Sequence, residues 1–147
     1  MTIEVIEILL VEDNPGDVKL TEKVLAKIGL SNALSVVTDG EQALDYLHQR
    51  GGYEGVAIPG LLLLDINLPK VSGHEVLAAM KAHPDLQDIP VVMLTSSDAE
   101  QDRQLAESAG ASAYLTKPPR PLTFLAALQQ VGMLDLALIR GPGQSSP

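Results

Sequence analysis

Short, uninterrupted apolar runs alternate with longer stretches of helical character along this chain. The first run, Ile8-Leu9-Leu10-Val11, is continuous, as a strand buried on both faces must be, and it halts at two acids, Glu12 and Asp13. A helix follows. Asn14 can cap it, Pro15 suits its first position, where a missing N–H costs nothing, and Gly29 after Ile28 marks its end. Ala33 to Val37 predicts a second strand, and Asp39-Gly40-Glu41-Gln42 resembles a capping box opening a helix that runs to about Gln49. Residues 51–60 hold four Gly and a Pro and predict a loop, after which Leu61-Leu62-Leu63-Leu64-Asp65 forms a central strand ending in an acid. Ser72-Gly73-His74-Glu75 has capping-box spacing, and Val76, Leu77 and Met80 give the next helix an apolar face until Pro84 ends it. Val91 to Leu94 stops at Thr95, and Ser97-Asp98-Ala99-Glu100 caps a helix reaching Ala109 and Gly110. Ala113 to Thr116 stops at Lys117, and after Pro118-Pro119 a helical pattern runs from Leu122 to Val131. Five strand–helix units predict an α/β domain with a five-stranded, doubly wound parallel sheet.

Composition narrows this picture. A chain of 147 residues, 46% of them apolar, suits one domain rather than two. With no Trp, one Phe and three Tyr, its core must be aliphatic. Ten basic against 19 acidic residues leave a net charge of −9, which repels phosphate backbones and anionic lipid, so neither nucleic acid nor membrane is an expected partner. No apolar stretch approaches the roughly 20 residues that span a bilayer. The start, Met1-Thr2-Ile3-Glu4, lacks the layout of a secretory signal, and the absence of Cys excludes a disulfide framework or thiolate metal site, so a cytoplasmic location is expected. Residues 1–132 are expected to form the domain and 133–147 an extension. The extension is apolar at Met133, Leu134, Leu136, Leu138 and Ile139, then too polar and Gly/Pro-rich to pack.

The strand ends carry the chemistry. Open parallel sheets bind ligands at the carboxyl ends of their strands, and here those ends deliver Glu12 and Asp13, Asp65, Thr95 and Lys117. Three converging carboxylates repel one another, so either their pKa values rise or a hard divalent cation neutralises them, and Mg²⁺ fits best. Without thiolates or a His pair a softer metal has little support. His48, His74 and His83 read as ordinary surface or partly buried residues, and the four Met, including Met80 and Met93, as core fillers.

Four segments together, Leu9-Leu10-Val11-Glu12-Asp13-Asn14, Leu64-Asp65-Ile66-Asn67-Leu68-Pro69 with Gly73, Leu94-Thr95-Ser96, and Tyr114-Leu115-Thr116-Lys117-Pro118, resemble the receiver domain of two-component response regulators over about Ile6 to Val131. The resemblance implies a flavodoxin-like fold and a phosphoprotein that acts as a switch, assisting its own phosphorylation and dephosphorylation rather than turning over a substrate. It makes Asp65 the acceptor of a phosphoryl group from a histidine kinase. It makes Glu12, Asp13, Asp65 and the Asn67 carbonyl the ligands of Mg²⁺, for which Mn²⁺ can substitute, with Glu12 acting through a coordinated water. Lys117 becomes the cation paired with the acceptor, Thr95 the hydroxyl that turns to the phosphoryl group, Tyr114 the aromatic that changes rotamer with it, and Lys117-Pro118 a cis peptide.

The opening Val11 to Asp17, the 51–60 loop and Leu68-Pro69-Lys70 further resemble small stand-alone regulators paired with bacterial phytochrome histidine kinases. Only 16 residues follow Val131, which implies no output domain. The signal then passes to an unidentified downstream protein or by onward phosphotransfer. A homodimer through roughly Asp98 to Val131 is expected as its carrier, and the apolar extension either joins that interface or folds back on its own domain as a helix extension. Two rivals stand beside this. A phosphatase of the haloacid dehalogenase type also uses a strand-end Asp, but wants a second Asp two residues on, where this chain has Asn67. A pseudo-receiver scaffold usually lacks the acceptor or the acid pair, and this chain has both.

Overall fold

A computed structural model describes residues 7–29, 34–96 and 100–131. The chain runs β1 (Ile8–Val11), α1 (Pro15–Lys27), β2 (Leu34–Val37), α2 (Gly40–Leu47), β3 (Leu61–Asp65), α3 (Gly73–Lys81), β4 (Val91–Thr95), α4 (Glu100–Ser108), β5 (Ala113–Thr116) and α5 (Pro121–Gln130). All strand pairs are parallel, in the order β2-β1-β3-β4-β5. This is the expected α/β doubly wound, flavodoxin-like architecture.

The continuous apolar runs are explained by what covers them. Successive strand residues point to opposite faces. Ile8, Leu10, Leu61 and Leu63 pack with Val24 and Leu25 of α1 and Phe124, Ala127 and Leu128 of α5. Leu9, Val11, Leu62 and Leu64 pack instead with Ala43 and Leu47 of α2, Val76, Leu77 and Met80 of α3, and Ala106 of α4. Along β1 and through the apolar runs of β3 and β4 neither face leaves room for a polar residue, so these strands do not alternate, whereas edge strand β2 is only partly buried and carries Ser35. Each fully buried Leu contributes roughly 1.5–3 kcal/mol through the water it sheds. Met80 and Met93 are buried, as expected of core fillers; Met1 and Met133 lie outside the described residues.

Winding outward in both directions from β1 and β3 makes the strand order reverse between them, and a crevice opens there at the carboxyl ends. The register then sets the level of each functional residue. Val11 pairs with Leu64, so Glu12 and Asp65 lie abreast one residue further on. Asp65 pairs with Leu94, and Thr95 with Thr116, so Lys117 emerges one step beyond.

Helix ends largely follow the predicted caps. Asn14 Oδ1 accepts the Asp17 N–H at 3.0 Å, and Ser72 with Glu75 forms the full reciprocal box. At α2 the expected box is altered: Asp39 Oδ1 accepts the Gln42 N–H at 2.7 Å, but Gln42 Oε1 reaches past Asp39 to the Thr38 N–H at 3.0 Å. α3 stops at Lys81, short of Pro84, because the residue before a proline is itself pushed out of helical geometry. The expected cap at 97–99 and the extension after Val131 lie outside the described residues. No described helix is long and apolar enough to cross a membrane.

Candidate functional site

The residues singled out at the strand ends come together. Carboxylate oxygens of Glu12, Asp13 and Asp65 all lie within 4.8 Å of one another, with Glu12 and Asp65 buried and Asp13 exposed. Lys117 reaches in from the end of β5. Its Nζ is 2.6 Å from Glu12 Oε1, 2.9 Å from Asp65 Oδ2 and 3.0 Å from Asp17 Oδ2. The remaining oxygens are held by backbone: the Asn67 N–H donates to Asp65 Oδ1 at 3.0 Å, and the Asn14 N–H to Glu12 Oε2 at 3.2 Å. The chain turning away from β3 thus folds back over its own acid.

Electrostatics match this crowding. Burial pushes the Glu12 carboxyl up to about 7; Lys117 opposes the rise and neighbouring Asp65 adds to it. For Lys117 burial alone would lower the pKa, but Glu12, Asp65 and Asp17 outweigh it and hold the ammonium above its ordinary value. Glu12 Oε1, although in ion-pair range, is a fully buried oxygen with no hydrogen-bond donor aligned on it. A buried, under-satisfied carboxylate oxygen beside two further carboxylates suits a hard divalent cation, which takes oxygen ligands only. Among the described residues no other three His, Cys, Asp or Glu converge in this way.

Thr95 and Tyr114 line the neighbouring strand ends. Thr95 is buried at the end of β4, and its carbonyl accepts the Lys117 N–H at 2.6 Å. Tyr114 is buried on β5, with the Arg103 guanidinium 5.1 Å from its ring centroid. The Lys117-Pro118 bond is cis, as the resemblance implied.

Two contacts escaped the sequence. Asp17 joins the Lys117 shell, and the available signal was helical spacing, since Asp17 lies four residues after Asp13 and three after the cap Asn14. His48 and His83, read separately, form an edge-to-face pair with ring centroids 5.0 Å apart, where α2 and α3 end. His83 Nδ1 accepts the Asp85 N–H at 3.2 Å. The neutral ring then carries its proton on Nε2, which leaves that nitrogen no lone pair for a metal.

Comparison with known proteins points to one family. Residues 8–129 match the family model of the response regulator receiver domain. The response regulator Rcp1 of Synechocystis sp. (strain ATCC 27184 / PCC 6803 / Kazusa) is 46% identical over 110 residues, which is 75% of this chain and 75% of Rcp1. Its solved Mn²⁺-bound form aligns with a TM-score of 0.74 and 39% identity, covering 92% of this chain and 98% of that one. The bacteriophytochrome response regulator RtBRR aligns with a TM-score of 0.81 and 44% identity, covering 88% of this chain and 79% of its own. The phosphorylated cyanobacterial phytochrome response regulator RcpA aligns with a TM-score of 0.75 and 35% identity, covering 95% and 98%.

Proposed function

This chain belongs to the response regulator receiver domain family, a family of signalling switches, and from that premise we propose that Asp65 accepts a phosphoryl group from the phosphohistidine of a sensor kinase. One observation carries this: the Asp65 carboxylate stands between two further carboxylates within 4.8 Å and an ammonium at 2.9 Å, in the crevice at the strand ends. A carboxylate oxygen of Asp65 forms the new P–O bond while the P–N bond to the kinase imidazole breaks, and the imidazole keeps the electron pair and takes up a proton. Glu12, Asp13, Asp65 and the Asn67 carbonyl would hold Mg²⁺ or Mn²⁺, and the ion supplies charge neutralisation for the phosphoryl oxygens. Lys117 pairs with those oxygens from the other side.

The names of Rcp1, RtBRR and RcpA support a phytochrome-type histidine kinase as the source of the phosphoryl group. The protein works in the cytoplasm and passes its signal through the face of α4, β5 and α5 to a downstream protein, a second copy of itself or an onward phosphotransfer partner. Intact-mass measurement tests the acceptor. With a small phosphodonor and Mg²⁺, the wild type gains one phosphoryl mass and Asp65→Asn gains none. An unmodified wild type, or equal gain by the variant, overturns the proposal.

Thr95 and Tyr114 carry the response. The Thr95 hydroxyl bonds a phosphoryl oxygen only by moving, which opens space for Tyr114 to change rotamer. Thr95→Ala is therefore expected to accept phosphate within about threefold of the wild-type rate, since its hydroxyl takes no part in the bonds made and broken. The same variant loses the phosphorylation-dependent change in hydrogen exchange over β5 and α5. A wild-type exchange response in Thr95→Ala contradicts this role.

A further inference from the structure

Lys117 is gripped by one residue that the metal-site and acceptor assignments leave out. Of the three carboxylates on its Nζ, Glu12 and Asp65 belong to the divalent site, but Asp17 does not. Two of the ammonium's three N–H donors are aligned on carboxylates, one on Asp65 Oδ2 at 2.9 Å and one on Asp17 Oδ2 at 3.0 Å, while Glu12 Oε1 is held in ion-pair range only. The origin of the Asp17 contact differs from that of the other two. Asp17 comes from the first turn of α1, where its own N–H donates to the Asn14 cap, so its position is set by the start of a helix rather than by the acid cluster. Its side chain is 31% exposed, at the rim, whereas Glu12 is fully buried.

We propose that Asp17 is a positioning residue for phosphoryl transfer, anchoring the Lys117 ammonium across the mouth of the site so that it stays aimed at Asp65. This rests on Asp65 being the phosphoacceptor. Glu12 and Asp65 would be engaged in holding a divalent cation, which would loosen their hold on the ammonium. Asp17, outside that set, is the acceptor that remains. Without it the flexible four-carbon stem of Lys117 is free to swing, and misplacement by about 1 Å can cost as much as ~100-fold in rate. Asp17 moves no proton and forms no bond to phosphorus; Lys117 stays protonated throughout.

The test uses acetyl phosphate: an Asp65 oxygen forms the P–O bond, the P–O bond to the acetyl group breaks, and acetate leaves with the electron pair. Rates at saturating Mg²⁺ are compared for the wild type, Asp17→Asn, Asp17→Glu, Lys117→Ala and the double variant Asp17→Asn/Lys117→Ala. Asp17→Asn is expected to lower the maximal rate about tenfold with KM for acetyl phosphate changed less than about twofold, and Asp17→Glu to recover most of the loss. In the Lys117→Ala background Asp17→Asn has no further effect, because its action runs through that ammonium. A wild-type rate in Asp17→Asn overturns the proposal, as does a tenfold loss that persists without Lys117. A wild type that never takes a phosphoryl group refutes Asp65 as acceptor, and this inference with it, before any Asp17 variant is compared.

Discussion

Replacing Asp13 by Ala is expected to lower the rate of Asp65 phosphorylation at least ~100-fold while the domain stays folded. The exposed Asp13 makes no core contact, yet it supplies one of three carboxylates within 4.8 Å. Charge stabilisation of a transferring phosphoryl group by a bound cation is worth several kcal/mol, and each ~1.4 kcal/mol is a factor of ten. The same variant changes a second readout. A ligand at 100 times its Kd stabilises a fold by about 2.7 kcal/mol, so Mg²⁺ raises the thermal midpoint of the wild type. It is expected to leave that of Asp13→Ala unmoved. With one repelling charge gone, the metal-free variant is at least as stable as the metal-free wild type. Wild-type phosphorylation of Asp13→Ala in EDTA contradicts the metal assignment.

Gly73→Ala is expected to destabilise the domain by about 3 kcal/mol, at the upper end of overpacking costs. Gly73 opens α3 against the end of β3. A Cβ there would fall on the Asp65 carbonyl oxygen and lie 2.8 Å from Ile66 Cα. Both are backbone atoms, so neither can rotate away. Relief requires moving the strand end that presents Asp65, and phosphoryl acceptance falls together with stability. Gly55→Ala is the control, since a Cβ at Gly55 meets nothing within 4 Å. Urea unfolding of the two variants checks this, and equal midpoints would show that α3 and β3 do not pack as described.

The sheet was legible because its burial is two-sided. Leu61 to Leu64 admits no polar residue on either face, so a four-residue run identifies the strand without any alternation to read. The site was legible for a related reason. An acid, hydroxyl or ammonium directly after such a run is placed at the carboxyl edge, and the register sets Glu12 and Asp65 at one level with Lys117 two residues beyond it. What remained hidden depends on how elements meet in space. Asp17 and Lys117 stand one hundred positions apart and touch only because the Lys117 side chain reaches in from the end of β5 to the first turn of α1. His48 and His83 pair because α2 and α3 end side by side. Lys70 takes a left-handed φ of 66° and lies 3.7 Å from Asp39, which ties the loop after β3 to the cap of α2; its neighbours in sequence do not foretell this.

The central claim is that one carboxylate among three close neighbours takes the phosphoryl group. Reductive trapping of the phosphorylated protein with borohydride, followed by peptide mapping, identifies that carboxylate directly. The trapped residue is expected to be Asp65, with Glu12 and Asp13 unmodified and no product when Mg²⁺ is withheld. Trapping at Glu12 or Asp13, or modification of Asp65 at an unchanged rate without a divalent cation, would contradict the account.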